Sequence, residues 1–315
     1  MKLLTMIHEG KPRPAIWLAE TKLLDLSIAF DLAIGRRLIP ATGSAVFCNL
    51  ISFIEREIRD QQPYTRMLWQ AGLNGKLDEA IVPAGLTVFV NPLHGQRKNI
   101  FCVGRNYLDH VAEGDRVRGE ETRLPEWPTF FTKPATAFTG PDHTIYIPAK
   151  ISGHMDYEVE LGVVIGKGGR DIRPEDAVDH VFGYTIVNDI SARDIQKRHG
   201  QWFKGKSLDA SCPIGPWVVH KDEIPDPHAL DISLLLNGEV RQQANTSQMI
   251  FKIPEIIASL SEGMTLETGD LIATGTPAGV GFAMTPPRYL TQGDRMRCEI
   301  QGIGRMSNFF LSAEE

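Results

Sequence analysis

HMDYEVELGVVIG, residues 154–166, alternates with the period of a β-strand. Tyr157, Val159, Leu161, Val163 and Ile165 fall on one side and make an apolar face suited to a core. Asp156, Glu158, Glu160, Gly162 and Val164 fall on the other. Alternate residues point the same way, so Glu158 and Glu160 project together, and two neighbouring carboxylates repel unless a cation lies between them. A second run, GYTIVND, is apolar until it ends in Asp189. Three carboxylates without His or Cys match the hard-oxygen preference of Mg2+, Mn2+ or Ca2+. Three protein ligands would leave positions for water and a chelating substrate. A solvated strand face carrying two glutamates would show the same letters, and the pattern alone leaves both readings open.

Outward from this strand the chain keeps one texture. From KNIFCVGRNY onward short apolar runs are punctuated by Gly and Pro: NIFCVG, PTFFTK, HTIYIP, GPWVVH, DISLLLNG, DLIATG and RMRCEIQG. Apart from a short stretch around His110, only KIPEIIASLSE reads as a helix. Many short strands at regular spacing predict a sheet-rich sandwich or barrel-like body. The first hundred residues read as a small α+β unit. LLTMIHEG and PAIWLAE resemble two strands joined by a Gly/Pro turn, TKLLDLSIAF continues the pattern, and SAVFCNLISFIEREIRDQQ has helical spacing. Turn residues in AGLNGKLDEAIVPAGL mark a break. The expected organisation is an accessory domain over 1–95 and a catalytic domain over 96–315.

Composition narrows the function classes. The 315 residues are 42% hydrophobic and 23% charged, with a net charge of −6. Lys and Arg are scattered rather than striped, which argues against nucleic acid and for a small-molecule partner. No apolar run approaches the ~20 residues needed to span a bilayer, so no membrane association is expected. The opening MKLLTMIHEGKPRP carries a charge where the apolar region of a signal peptide would continue. Cys48, Cys102, Cys212 and Cys298 lie far apart, as free thiols of a reducing compartment would, and the cytoplasm is the expected location.

CVGRNYLDHVAEGD starts as a strand, turns at Gly104 and becomes helical, which puts His110 and Glu113 on one helix face at i and i+3. A carboxylate beside an imidazole orients it and raises its basicity, as a general base needs; a surface pair on a short helix is the competing reading. GDRVRGEETRLPEWP, just after, is polar and reads as an exposed loop or as a lid over bound substrate. Residues 200–207, GQWFKGKS, spell a nucleotide-binding P-loop, but no buried strand precedes them and Pro213, Gly215 and Pro216 oppose a long helix after them. Lys206 remains as a lone cation able to hold a carboxylate or an oxyanion. ATGTPAGVG reads as a tight turn after a strand, with the Thr276 hydroxyl and backbone N–H groups on offer.

Taken in order, CVGRNYLDHVAE, FFTKPATAF, DYEVELGVVIG, GYTIVNDISARDIQ, KGKSLDASCPIGPW and DLIATGTPAGVGF resemble the fumarylacetoacetate hydrolase superfamily, in particular its bacterial acylpyruvate-hydrolase-like branch, over roughly residues 98–312. The resemblance implies an α+β, predominantly β fold: a mixed β-sandwich roll with a small N-terminal α/β domain. It implies Mg2+ or Mn2+ held by Glu158, Glu160 and Asp189, a water-activating dyad of His110 and Glu113, and Lys206 beside metal and substrate. Arg193, Gln196 and Thr276 match positions that contact the substrate's carboxylate and oxo groups, and Lys133 lies in a family motif without an assigned role. A homodimer is implied as well. Eukaryotic fumarylacetoacetases carry one more metal-ligating aspartate before the dyad histidine; Val103 stands at that position here, which argues against fumarylacetoacetate itself. The expected reaction is metal-dependent hydrolytic C–C cleavage of an acylpyruvate or other 2,4-dioxo acid. The alternative is isomerisation or decarboxylation of an unsaturated dicarboxylic oxo-acid from aromatic catabolism.

Overall fold

The computed structural model describes residues 1–312 apart from 20, 42, 44–46 and 97. The carboxylate strand, Val159–Ile165, runs through the middle of the largest sheet and is buried on both faces. Val159, Leu161, Val163 and Ile165 enter one hydrophobic core with Tyr184, Ile186 and Ile272. Val164 enters a second core on the opposite face. The alternation in the sequence is therefore, over most of the strand, the alternation of two cores.

Its neighbours fix the position of the site. Val181–Asn188 pairs antiparallel with it, Val159 opposite Asn188, so that Asp189 leaves its strand beside Glu158. Leu271–Ala273 flanks the other edge and delivers the turn that starts at Thr274. Ile100–Gly104 comes next, parallel to Leu271–Ala273, and leads into the helix Leu108–Arg118 that carries His110 and Glu113. A five-stranded sheet, ordered Glu239–Asn245, Asp231–Leu236, Arg295–Ile300, Gly304–Leu311 and Thr144–Tyr146, supplies the other side of the first core. The result is the strand-rich α+β architecture expected.

The N-terminal part forms the expected strands Lys2–His8 and Lys11–Ala19, and the helix Leu50–Asp60 inside the longer predicted stretch, whose residues 44–46 lie outside the described ones. TKLLDLSIAF differs from its expectation: it is strand only over Lys22–Asp25 and then turns into the helix Leu26–Gly35. Asp25 causes the switch, because its Oδ1 caps the N–H groups of Ser27 and Ile28 at 3.0 and 3.2 Å. Tyr64–Leu73 is a further helix, whose last three residues run into the predicted break. Lys2–His8 pairs antiparallel with Cys212–His220, Leu3 opposite Val218. The second core likewise mixes Leu3, Ile16 and Phe30 with Val164, Phe182 and Ile214. One sheet and one core thus run through residues on both sides of position 95.

The stretch between the catalytic motifs is more helical than its charge pattern suggested. Arg193–His199 and Trp202–Lys206 are short helices joined at Gly200, whose φ of +67° closes the first. Ile195 is the one buried residue of the first helix, too little apolar periodicity to read. The P-loop spelling at 200–207 therefore lies on a helical turn that follows another helix.

Candidate metal and substrate site

Where the carboxylate strand enters the site, side chains take over from the sheet ladder. Asn188 Oδ1 accepts from the Glu158 N–H at 3.0 Å, and Gln242 Oε1 accepts from the Val159 N–H, also at 3.0 Å. The Asp189 N–H donates to the Glu158 carbonyl at 2.8 Å. These bonds fix the backbone at Glu158, Val159 and Asp189, and Glu158, Glu160 and Asp189 each offer an oxygen within 4.8 Å of the others, all buried.

Three cations surround two of these acids. Lys206 Nζ lies 2.7 Å from Glu158 Oε2 and 2.6 Å from Asp189 Oδ2. Arg193 Nη2 lies 2.7 Å from Glu158 Oε1, and Lys133 Nζ lies 2.8 Å from Asp189 Oδ1; both are ion-pair distances without hydrogen-bond alignment. Lys133 is fully buried and donates to the Ile190 carbonyl at 3.0 Å, which gives a place to a lysine that the sequence left without a role. Glu160 is different. It receives the Gly275 N–H at 2.8 Å and has no ion-pair partner among the described residues.

The proton affinities follow this arrangement. Burial works to raise the Glu158 pKa, but the charges of Lys206 and Arg193 outweigh it and hold the carboxyl down at about 2. Burial and then the neighbouring charges of Asp189 and Glu158 push Glu160 well above the ordinary carboxylate range. The donor set fits a hard divalent cation: three close, buried carboxylates, one of which carries its charge cheaply only when a further cation joins it.

The dyad is equally well defined. His110 Nδ1 and Glu113 Oε1 are 2.9 Å apart, and Glu113 Oε2 accepts the Gly279 N–H at 2.9 Å. A carboxylate can only accept here, so Nδ1 carries the hydrogen and Nε2 is left as the ring's basic atom. Gly279 has φ +106°, and a Cβ there would come within 2.0 Å of the Arg241 carbonyl, so only glycine brings this N–H to Glu113.

His110, Glu158, Glu160, Arg193, Gln196, Lys206 and Thr276 all face one cavity of about 810 Å³, with Glu113 and Asp189 behind them. A slightly larger cleft, about 920 Å³ beside Trp217 and Arg297, contains none of these residues. The Thr276 hydroxyl donates to the Val159 carbonyl at 2.9 Å and accepts from Gln242 Nε2 at 2.8 Å, so it braces the turn more than it reaches for substrate. Gln196 accepts from Arg193 Nη1 at 3.3 Å. Val103 is buried and lines the cavity with a side chain that cannot ligate a metal.

One important acid was not singled out from sequence. Asp156 shares the register of Glu158 and Glu160 yet stands outside the triad. Its carboxylate is buried and accepts from the Gly281 N–H at 2.7 Å, the Phe282 N–H at 3.1 Å and Arg193 Nε at 2.9 Å. Asp156 thus ties the carboxylate strand to the loop that holds Glu113. The D-x-E-x-E spelling was the available signal, but its backbone partners Gly281 and Phe282 lie more than a hundred residues away in the chain.

Residues 99–310 match the family model described as fumarylacetoacetate (FAA) hydrolase C-terminal. The chain belongs to the fumarylacetoacetate hydrolase family. Among curated relatives in this family, the oxaloacetate tautomerase YisK of Bacillus subtilis is 52% identical over 217 residues, 69% of this chain and 71% of that protein. Among solved structures, a fumarylacetoacetate hydrolase from Exiguobacterium antarcticum is 34% identical, with a TM-score of 0.78 over 99% of this chain and 100% of that one. A 2-hydroxyhepta-2,4-diene-1,7-dioate isomerase from Mycobacterium marinum is 28% identical, with a TM-score of 0.71 over 100% of both chains. The family thus holds proteins named as tautomerases, isomerases and hydrolases on this fold. Among the described residues, no helix is long and apolar enough to cross a membrane.

Proposed function

We propose that this protein interconverts the enol and keto forms of oxaloacetate or a closely similar 2-oxo dicarboxylate. The observation that carries the reading is one cavity holding both a carboxylate triad and an oriented imidazole, in a chain 52% identical over 217 residues to an oxaloacetate tautomerase. Glu158, Glu160 and Asp189 would hold Mg2+ or Mn2+, which supplies Lewis-acid polarisation of the carboxylate and keto oxygens of a chelating 2-oxo acid.

The chain's own residues do the rest. His110 Nε2 removes a proton from C3 of the keto form, the C–H electron pair becomes the C2–C3 double bond, and the carbonyl π pair moves onto the C2 oxygen, which takes a proton from solvent water to give the enol. In the reverse direction the enol oxygen gives up its proton to solvent water and the imidazolium delivers a solvent-exchangeable proton to C3. Glu113, held by the Gly279 N–H, keeps the ring in place. Lys206 and Arg193 hold positive charge on the cavity wall, where the enolate gathers negative charge. Phe131, Trp202 and Phe282 line the same cavity and give it an apolar side.

A second reading, hydrolytic C–C cleavage of an acylpyruvate, is favoured by the dyad, since an imidazole held by a carboxylate also suits proton removal from water. The fumarylacetoacetate hydrolase with the same overall fold supports it too. One panel separates the two. With Mg2+ or Mn2+ present, tautomerisation predicts accelerated loss of oxaloacetate enol absorbance with no change in carbon skeleton. Hydrolysis predicts release of pyruvate and a carboxylic acid from acetylpyruvate. Inactivity toward oxaloacetate with turnover of acylpyruvates would reverse the order of the two readings.

A further inference from the structure

The helix Arg193–His199 forms one wall of the cavity. Arg193, Gln196 and Lys197, followed by Gly200, all line it, the spacing of a single helix face. Arg193 stands at the inner end, paired with Asp156 at 2.9 Å and with Glu158 at 2.7 Å. Lys197 follows one turn later, about 6 Å further along the axis, and is exposed at the rim.

Most cations along this cavity are already matched. Arg105 pairs with Asp115 at 2.8 Å. Arg118 pairs with Asp115 and, at 2.8 Å, with Glu120. Lys206 is spent on Glu158 and Asp189. His154 packs on the Tyr289 ring at 4.5 Å, with Nδ1 4.0 Å from Asp194. Lys197 has no carboxylate partner among the described residues. Asp194, the nearest acid in the chain, accepts from the Ser152 hydroxyl at 2.6 Å and from the Ile195 N–H at 2.8 Å.

From this we infer that Lys197 is the specificity-determining residue for the far end of the substrate, receiving the second carboxylate of a 2-oxo dicarboxylate. The inference rests on the tautomerase reading and adds to it the feature that would favour a dicarboxylate over a monocarboxylate. The 2-oxo acid end lies at the carboxylate triad, and the chain of the substrate runs outward along the Arg193–Gln196–Lys197 face. An ammonium at the rim stays hydrated when the far end is neutral, so Lys197 selects by attraction and not by exclusion. Selection of that kind is modest and screened by salt.

The test compares kcat/KM for the enol forms of oxaloacetate and of its C4 methyl ester, with metal present, in the wild type, Lys197→Met, Lys197→Glu and Lys197→Arg. Lys197→Met should lower the preference for oxaloacetate about fivefold, the scale of a rim ion pair. Lys197→Glu should lower it further, and Lys197→Arg should keep it. Added salt should erode the wild-type preference and leave that of Lys197→Met nearly flat, a response that a merely structural lysine would not give. An unchanged preference in the Met and Glu variants, with wild type active on both compounds, overturns the assignment of Lys197 alone. Wild type that tautomerises neither compound overturns the tautomerase reading and this inference with it.

Discussion

His110 and Glu113 sit one helical turn apart with Nδ1 and Oε1 2.9 Å from each other, and the other oxygen of Glu113 is anchored by the Gly279 N–H. The imidazole is therefore oriented from a loop 166 residues further along the chain. Replacing His110 by Asn should lower kcat by about a hundredfold or more, the usual worth of a positioned general base, with metal affinity retained. Steady-state kinetics beside calorimetric metal titration checks both halves. Loss of metal binding in this variant would mean that the imidazole helps hold the ion.

Gly279→Ala reaches the same pair indirectly. The added Cβ would meet the Arg241 carbonyl at 2.0 Å, so the loop must move and Glu113 loses its N–H. The expected outcome is a fall in kcat of about tenfold or more with a smaller change in KM, since a small misplacement at the reacting centre is costly. A variant with wild-type kcat would show that the anchor is dispensable.

Glu160 is the acid without an ion-pair partner, so it should separate stability from function. Glu160→Gln keeps the shape and removes a poorly compensated buried charge. The metal-free variant should melt no lower than the metal-free wild type. Mn2+ at about a hundred times its wild-type dissociation constant should stabilise the wild type by about 2.7 kcal/mol and leave the variant unmoved. Thermal melts with and without the ion read both effects, and an equal rise in Tm for the two proteins would count against Glu160 as a ligand.

Lys133 pairs with Asp189 from inside the protein, at 2.8 Å and fully buried. Lys133→Met leaves that carboxylate less well held and should weaken metal affinity about tenfold, at a folding cost of about 3 kcal/mol. Calorimetric titration of the folded variant measures the first effect, and denaturant unfolding measures the second. Unchanged metal affinity would leave Lys133 as a purely structural cation.

Asp115 predicts an acid-side effect. Arg105 holds its carboxyl down at about 2 despite the burial that opposes it, while the unfolded chain has an ordinary Asp near ~3.9. A folded value below the unfolded one means stability present above about pH 4 and lost as pH falls toward 2. Asp115→Asn should therefore melt below the wild type at neutral pH, and the gap should close between about pH 4 and pH 2. A gap that does not change with pH would exclude the ion pair as its source.

How legible the molecule was depended on how local its causes are. The two-residue alternation around Glu158 and Glu160 survives in the structure because both faces of that strand are packed, and Asp189 follows from the end of its paired strand. Helix spacing placed His110 beside Glu113. The helix at Leu26 was hidden because an apolar run serves strand or helix equally, and only the cap at Asp25 distinguishes them. Arg193–His199 was hidden because Ile195 alone anchors it. Contacts of long separation left no local trace: Asp156 with Gly281, Gln242 with Val159 and Thr276, Glu113 with Gly279. Those contacts brace the loops around the triad, so the three acids were easier to read than the scaffold that aims them.

Proton transfer at C3 of oxaloacetate is the central claim, and NMR in D2O measures it directly. With Mg2+ or Mn2+ present, the wild-type protein should exchange the C3 protons of oxaloacetate for deuterium well above the buffer rate. His110→Asn should fall back to that rate while still binding the ion. A wild-type protein that binds the ion yet leaves C3 exchange at the buffer rate would contradict the account.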